Sequence, residues 1–256
     1  MTIDEVFPNS TVKQVIFQIR FPNLFYIENR IGDFQTRIMT EFPQSSLVIR
    51  KQFLLADLGP KVKLSDLPDD LDSSTEQANK IWQFRSPKGF ELNVLTNSLD
   101  ITSSYHKTYN LPGADRFRDI IEFVLTKFFE VMALPIVNRI GLRYIDECPV
   151  PSRKDSTFKS YYNSVFPLKR FHLADAREMR FQTLVKRGDY FVRYVERFQT
   201  TPAGDKLILD FDAFAENIDM SACLAVTDEL HTQISDEYEK TIKEPVYKYM
   251  RQAKRT

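Results

Sequence analysis

One strand-like segment with two arginines in an apolar stretch constrains this chain most. Residues 139–146 read Arg-Ile-Gly-Leu-Arg-Tyr-Ile-Asp and follow a strongly amphipathic helical segment. Side chains alternate between the two faces of a strand. One face therefore carries Ile140, Leu142 and Tyr144, and the other carries Arg139, Gly141, Arg143 and Ile145. Two guanidinium groups on one face need carboxylates or a ligand nearby, because an unpaired charge that loses water is costly. The segment predicts a strand with one apolar and one polar face.

Charge and hydropathy exclude several classes of protein. Lys plus Arg and Asp plus Glu both number 35, so the formal net charge is zero. No global field attracts nucleic acid or an anionic membrane, and the low net charge favours a homo-oligomer or a protein complex. No apolar run approaches the roughly 20 residues that span a bilayer. The first ten residues have no apolar core, which predicts neither a signal peptide nor an anchor.

Cysteine and aromatic usage indicate the compartment and the core. Cys148 and Cys223 are too few for a disulfide scaffold and lack the close spacing of metal sites. We expect a reduced, cytoplasmic setting. The chain holds 21 Phe and 11 Tyr but only seven Gly, and Phe and Tyr suit half-buried pleated surfaces. A sheet-rich core follows.

Periodicity predicts an element order that occurs twice. The first half reads strand, helix, four strands and long helix, over residues 12–21, 24–42, 47–53, 81–85, 90–96, 99–106 and 115–134. A loop is predicted at residues 58–80, where glycine, prolines and acids interrupt any period. The second half begins with a strand at residues 137–146 and a short helix at 156–165. Strands at 171–175, 179–186, 190–198 and 206–212 follow, then a helix from 223 to 242 that Pro245 should end or kink.

This order predicts an α+β protein with a broad antiparallel sheet of about ten strands and long helices packed on one face. It divides into residues 1–134 and 135–256, two fused strand, helix, four-strand and helix units packed as one continuous compact unit. Identity between the halves is negligible, so duplication rests on element order alone. The other face of such a sheet is expected to be open and to receive a ligand or partner.

The central segment forms the first candidate binding region. Arg139, Arg143, Asp146 and Glu147 could line an anion-binding surface, because the guanidinium fork matches carboxylate and phosphate oxygens in two-point contacts. Tyr144, between the arginines and the acids, belongs to the same predicted region. The alternative is an ion-pair ladder within the sheet, with acids such as Asp210 and Asp212 on a neighbouring strand.

A second candidate lies in the hairpin at residues 181–198. Its predicted binding residues are Tyr190, Arg193, Tyr194 and Arg197, interleaved basic and aromatic side chains that could stack on single-stranded nucleic acid. The alternative is an amphipathic hairpin whose aromatic residues face the helices and whose charges face water.

No catalytic, cofactor or metal signature is present. His106, His172 and His231 lie far apart, and none has a second ligand at metal-binding spacing, so we assign them structural or surface roles. Nucleophile elbow, P-loop, dinucleotide fingerprint and zinc-helix motifs are all absent from the sequence. We therefore predict no catalytic residues, no cofactor and no metal.

Several segments together resemble a known family. They are the strand at residues 12–21, the helix closing on Phe42-Pro43, the Trp82-Gln83-Phe84 strand, the strand at 99–105 and, most specifically, residues 139–146. This set is similar to an uncharacterised, sporadically distributed prokaryotic family of about this length. The resemblance implies no catalytic residues, because that family has no assigned activity. It does imply a setting near phage-defence, CRISPR-associated or toxin-antitoxin loci.

Three functional hypotheses follow. The leading one is a cytoplasmic, non-enzymatic accessory or regulatory protein of a prokaryotic defence-type system, which binds a partner protein through the sheet face around Arg139 and Arg143. The second is a nucleic-acid-binding component that uses the hairpin at residues 190–197. The third is an enzyme or small-ligand binder with a pocket between the helices and the sheet.

Overall fold

The computed structural model describes residues 5–52, 77–104, 106, 108–113, 115–134, 136–202 and 204–253. Its strands are β1 (Val12–Arg20), β2 (Gln44–Gln52), β3 (Gln77–Arg85), β4 (Phe90–Val94), β5 (Ser98–Ser103), β6 (Val137–Pro149), β7 (Glu178–Arg187), β8 (Tyr190–Thr201) and β9 (Gly204–Ile218). Its helices are α1 (Ile27–Ile38), α2 (Phe117–Val131), α3 (Asp155–Tyr161), α4 (Cys223–Thr241) and α5 (Glu244–Arg251).

These strands form a single antiparallel sheet in the order β2-β3-β4-β5-β1-β6-β9-β8-β7. The pair β1 and β6 lies at the centre, with Phe17 opposite Leu142 and Ile16 opposite Arg143. Each half places its first strand at this centre, and the strand after its first helix, β2 or β7, at a sheet edge. The predicted α+β class with a broad antiparallel sheet is confirmed.

The core lies between the sheet and the long helices. Inward side chains of β1, such as Phe17, are fully buried and belong to one apolar cluster with residues of α1, α2 and α4. Phe34 of α1 meets both Phe84 of β3 and Phe128 of α2 edge to face, with ring centroids 6.0 and 5.4 Å apart. The cluster is continuous across both halves of the chain. A division at residue 134 stays a prediction.

The predicted strand at residues 171–175 is wrong. This stretch forms turns, and the part of the chain that is described has nine strands rather than about ten. The carboxylate of Asp155 explains the difference, because it accepts the backbone N–H of Leu173 at 2.9 Å and contacts Nδ1 of His172 at 2.8 Å. The backbone donor that a strand would use is bonded to the start of α3 instead.

The predicted loop at residues 58–80 is corrected at its end. Residues 58–76 lie outside the described part of the chain, whereas residues 77–80 belong to β3 and pair with β2. Lys80 lies on the helix side of the sheet, where its ammonium pairs with Glu28 of α1 at 2.8 Å. A charged residue at this position hides the apolar alternation that marks a strand.

The predicted helices are present with shorter bounds. The helix predicted at residues 24–42 runs over Ile27–Ile38 and includes Gly32. The last helix ends at Thr241, and Pro245 lies in the first turn of α5. Proline suits a first helical turn, because its missing N–H would have no helical partner there. Pro245 thus begins a second helix that the sequence did not indicate.

Candidate functional site

The sheet divides the central candidate region into two faces. Arg139 donates from Nη2 to both carboxylate oxygens of Asp212 at 3.0 and 3.1 Å, and Arg143 forms a two-point pair with Asp210 at 2.6 and 2.7 Å. These arginines lie on the open face, as alternation predicted. The arrangement is the ion-pair ladder within the sheet that was the alternative to an anion site.

Tyr144 and Asp146 lie on the opposite face, beneath the helices. Asp146 is 3% exposed and accepts a hydrogen bond from Thr11 Oγ1 at 2.7 Å. Grouping these two residues with Arg139 and Arg143 in one binding region was therefore wrong. The reason is the two-residue period of the strand, which turns residues 144 and 146 away from residues 139 and 143.

The hairpin of β7 and β8 is divided in the same way. Arg193 opposes Asp212 on the open face, and its Nη1 lies 3.9 Å from that carboxylate. Tyr194 faces the helices, is buried, and stacks on Phe211 with ring centroids 4.9 Å apart. Neither Tyr190 nor Tyr194 shares a face with Arg193 and Arg197, because their positions differ in parity along one strand. The two tyrosines therefore do not join the two arginines in one surface, whereas Phe191 lies on the open face beside Arg193. Binding of nucleic acid by this hairpin stays a prediction.

A pocket of about 110 Å³ lies on the helix side at the end of β6. Its polar lining includes Thr11 just before β1, His106 and Tyr109 after β5, Tyr144 and Asp146 on β6, and His231 and Tyr238 on α4. Other polar residues of the lining are Glu5, Ser10, Thr108, Asn110 and Ser235. Apolar walls are formed by Phe7, Ile234 and Met250, among others. In this pocket both halves of the chain and both ends of its described part come together around polar residues.

Two polar atoms in this pocket are buried without a partner. Nδ1 of His106 and the hydroxyl of Tyr144 have no hydrogen-bond partner among the described residues. His106 is only 8% exposed to solvent and Tyr144 only 9%. Leaving a buried polar group unpaired costs roughly 1–3 kcal/mol. Both residues line the same cavity, so a small molecule held in it would lie beside the two residues that carry the unpaired atoms.

The aromatic residues fix the positions of the two histidines. The His106 ring stacks on Phe117 with centroids 4.7 Å apart, and the His231 ring stacks on Tyr109 at 4.1 Å. Tyr144 lies between them, with its ring centroid 6.2 Å from that of His106 and 5.9 Å from that of His231. Ring contacts hold the faces of both imidazoles. Nε2 of His231 also lies 3.5 Å from the hydroxyl of Ser235, whereas Nδ1 of His106 has no partner among the described residues.

Burial keeps these histidines neutral. The pKa of His106 is lowered to about 4, chiefly by burial and to a smaller extent by the nearby His231. Burial likewise lowers the pKa of His231 to about 4, against a smaller upward effect of Asp228. Near pH 7 both imidazoles are uncharged, and each offers one donor and one acceptor nitrogen.

Asp146 titrates near neutral pH. Burial raises its pKa to about 7, and the hydrogen bond from Thr11 opposes that rise. Tyr238 lies 2.6 Å from Thr11 Oγ1, so its hydroxyl donates to Thr11 while Thr11 donates to Asp146. A carboxyl group with this pKa is a proton donor and acceptor at physiological pH.

Both ends of the described chain close the pocket. The backbone N–H of Asn9 donates to the carbonyl of Met250 at 3.0 Å, and Arg251 pairs with Glu5 at 2.5 Å. Phe7 also contacts the ring of Tyr247, with centroids 6.2 Å apart. Residues 5–10 are thereby attached to α5 over the pocket.

Sequence reasoning missed His106 and His231 as pocket residues. Their structural or surface assignment rested on their separation in sequence, but β5, β1 and β6 are adjacent in the sheet and α4 crosses β6. The available signal was Tyr144 and Asp146, two polar residues on the predicted apolar face of the central strand. No cluster of three or more His, Cys, Asp or Glu able to hold a metal occurs in the described residues.

Comparison with known proteins found no match, whether against protein-family models, curated proteins or solved structures. Within the described ranges, no helix is long and apolar enough to cross a membrane. Cys148 and Cys223 are both buried as free thiols. The resemblance to a sporadically distributed prokaryotic family, its defence-type setting and a cytoplasmic location stay predictions.

Proposed function

We propose that this protein binds a small uncharged molecule in the helix-side pocket. The observation that carries the proposal is the pair of unpartnered buried atoms, His106 Nδ1 and the Tyr144 hydroxyl, at one cavity. Nearly all buried polar groups in proteins are hydrogen-bonded, so two exceptions at the same pocket indicate a site completed by a ligand. The third hypothesis from the sequence, a small-ligand binder, agrees best with this geometry.

The chemistry of the pocket limits the ligand. Neutral imidazoles at His106 and His231 provide no fixed charge for an anion, and the apolar walls Phe7 and Ile234 disfavour a strongly hydrated group. A cavity of roughly 150 Å³ holds benzene, so a pocket of about 110 Å³ accepts at most a small ring. The expected ligand is a compact uncharged molecule with hydrogen-bonding groups opposite His106 and Tyr144.

Binding of small uncharged fragments tests this proposal. The mixture contains compact amides and single-ring heterocycles. Methyl signals of Ile234 and Met250 report binding in carbon-proton NMR spectra, because both residues line the pocket. A binding fragment should shift these signals in the natural protein. Its affinity should fall about tenfold in Tyr144→Phe, which removes one hydrogen bond to the ligand.

Tyr190→Phe is the matched control, because the Tyr190 hydroxyl makes no hydrogen bond with the described side chains and Tyr190 does not line the pocket. It should bind the same fragments with unchanged affinity. The proposal fails if no fragment shifts the two methyl signals, or if Tyr144→Phe and Tyr190→Phe bind equally well.

Partner recognition by the open face is the second candidate. It retains the leading sequence-based hypothesis, an accessory or regulatory role in a prokaryotic defence-type system, and is supported by the exposure of Arg143 and Arg193, at 42% and 47% of their side chains. Arg139 is less suited to recognition, because it is held by Asp212 and by the ring of Phe214 at 4.4 Å.

Affinity purification at moderate salt tests partner recognition. The proposal is supported if a protein copurifies in stoichiometric amount and is lost from the double variant Arg143→Glu and Arg193→Glu. The same protein should still copurify with Arg180→Glu, a change on the edge strand β7. Recovery of the same protein with both the double variant and Arg180→Glu would exclude the open face as the contact surface.

A further inference from the structure

A groove on the open face of the sheet holds surplus positive charge. It has a volume of about 330 Å³ and charged lining residues Arg20, Arg139, Arg143, Arg193 and Asp212. Asp210, the partner of Arg143, lies at its border. The lining itself therefore holds four guanidinium groups and one carboxylate. Further acids lie around it, with Glu216 opposite Arg139 and Asp100 opposite Gln18.

Arg20 is the least compensated of these arginines. It lies directly opposite Arg139 in the register of β1 and β6, and like charges at opposed positions of a sheet repel. Its Nε donates to the amide oxygen of Gln18 at 2.8 Å. Among described side chains, no carboxylate lies within ion-pair distance of Arg20. Burial lowers the pKa of Arg139, and the charges of Arg20 and Arg193 lower it further.

Gly141 leaves room for the guanidinium of Arg139 at the floor of the groove. The guanidinium of Arg139 folds over it, so that Nη1 would lie only 2.6 Å from a Cβ at this position. The same guanidinium is fixed by Asp212 on one side and lies over the ring of Phe214. Arg139 is therefore held in place, facing the less constrained side chains of Arg20 and Arg193.

We infer that this groove binds the phosphate group of a small molecule between Arg20, Arg139 and Arg193. Guanidinium groups match phosphate oxygens in two-point, charge-assisted hydrogen bonds, and an anion would relieve the repulsion among the three arginines. The inference is independent of the helix-side pocket and its ligand.

A nucleic-acid backbone fits this groove less well than a single phosphate group. Asp100 lies opposite Gln18 at one side of the groove, and Asp210 lies at another. A strand of nucleic acid that crossed the sheet would bring successive phosphates against these carboxylates. The positive charge is local, and this favours one phosphate group.

Isothermal titration of the whole protein with inorganic pyrophosphate at low salt tests the inference. We expect saturable binding to one site, weakened about tenfold in Arg20→Gln and in Arg193→Gln, because each change removes a charge-assisted hydrogen bond. The matched control is Arg180→Gln, which removes an arginine of the same face on β7 whose guanidinium contacts Gln182. The control should bind pyrophosphate as tightly as the natural protein.

The result would overturn the inference if the natural protein gave no binding, or if Arg180→Gln weakened binding as much as Arg20→Gln. A short single-stranded oligonucleotide serves as the competing probe. Tighter binding of the oligonucleotide, with equal losses in all three arginine variants, would assign a diffuse polyanion surface and also overturn it. Thermal unfolding of each variant verifies that the fold is retained.

Discussion

Two buried carboxyl groups lie on the same side of the sheet, and their surroundings differ. Glu196 of β8 is fully buried and accepts from Ser164 Oγ at 2.5 Å, from the backbone N–H of Val165 and from the hydroxyl of Tyr194. Asp146 of β6 accepts from Thr11, while nearby His106 and Tyr144 have buried atoms left unpaired in the described structure.

The difference separates a structural cluster from the proposed binding site. Around Glu196 the neighbouring polar groups satisfy one another, so a ligand would have nothing to add. Around Asp146 the unpaired atoms lower the stability of the empty protein and are compensated only when something fills the pocket. Burial of a carboxyl group does not by itself indicate function, whereas incomplete hydrogen bonding at a cavity does.

The largest effect is expected for Glu196→Ala. The change leaves the Tyr194 and Ser164 hydroxyls without their acceptor and opens a cavity, so the free energy of unfolding should fall by about 3 kcal/mol. Urea unfolding at pH 7 measures it. Glu178→Ala, at an exposed position on β7, is the control and should change stability by less than about 0.5 kcal/mol. A loss below about 1 kcal/mol for Glu196→Ala would show that this cluster does not stabilise the fold.

Asp146→Asn should have a pH-dependent effect. Burial raises the pKa of Asp146 to about 7, so the folded protein binds this proton more tightly than the unfolded chain. Its contribution is complete below the unfolded pKa, near 4, and is lost as the pH rises toward 7. The Asp146→Asn variant does not lose stability in this way, because asparagine does not titrate. The variant should therefore gain about 2 kcal/mol relative to the natural protein between pH 5.5 and 8, since one proton corresponds to roughly 1.4 kcal/mol per pH unit.

Urea unfolding at both pH values measures this gain. The other titratable groups that face Asp146 do not contribute to the difference, because burial lowers the pKa values of His106 and His231 in both proteins and raises those of Tyr144 and Tyr238. Parallel pH profiles for the two proteins would contradict the near-neutral titration of Asp146.

A matched pair of tyrosines sharpens the comparison. Tyr144→Phe removes an unpaired buried hydroxyl and should raise the free energy of unfolding by about 1 kcal/mol in the absence of ligand. Tyr194→Phe removes a donor to Glu196 and should lower it by about 1 kcal/mol or more. Thermal unfolding of the two variants side by side shows the sign. Equal losses in both would mean that Tyr144 is already satisfied in solution.

The smallest effect is expected for Arg143→Gln on the open face. Arg143 and Asp210 form a two-point pair, but the arginine side chain is 42% exposed. Water and salt weaken such pairs, so the free energy of unfolding should fall by less than about 1 kcal/mol, and by less at high salt. Denaturant unfolding at low and high ionic strength, about 0.05 and about 0.5 M salt, tests this. A loss that does not depend on salt would mean that the ladder acts through packing.

The sequence specified the fold better than the site. Apolar residues alternate along β6 and recur every three or four residues in α1, α2 and α4. These patterns indicate which side of each element is buried, and they can be recognised within one segment of the sequence. The turn at residues 171–175 was missed because its geometry depends on Asp155, which is distant from it in sequence. Lys80 was assigned to a loop because its partner Glu28 lies on another element.

The candidate pocket could be predicted only in part. Tyr144 and Asp146 were recognised as notable residues of the central strand, but they were placed with the arginines of the other face. His106 and His231 meet them through the order of strands in the sheet and the path of α4, which no local pattern encodes. The ladder of Arg139, Arg143, Asp210 and Asp212 was anticipated as an alternative, because alternation fixes which residues of paired strands can oppose each other.

The position of β1 at the centre of the sheet has a consequence for synthesis on the ribosome. This strand is translated early, yet its neighbours β5 and β6 begin about 80 and 120 residues after β1 ends. At roughly 5–20 residues per second, its apolar side chains wait about 4–16 s for the first neighbour. During that interval the nascent chain presents an unpaired, aggregation-prone strand. We therefore expect its yield of native protein to depend on chaperones that shield emerging chains.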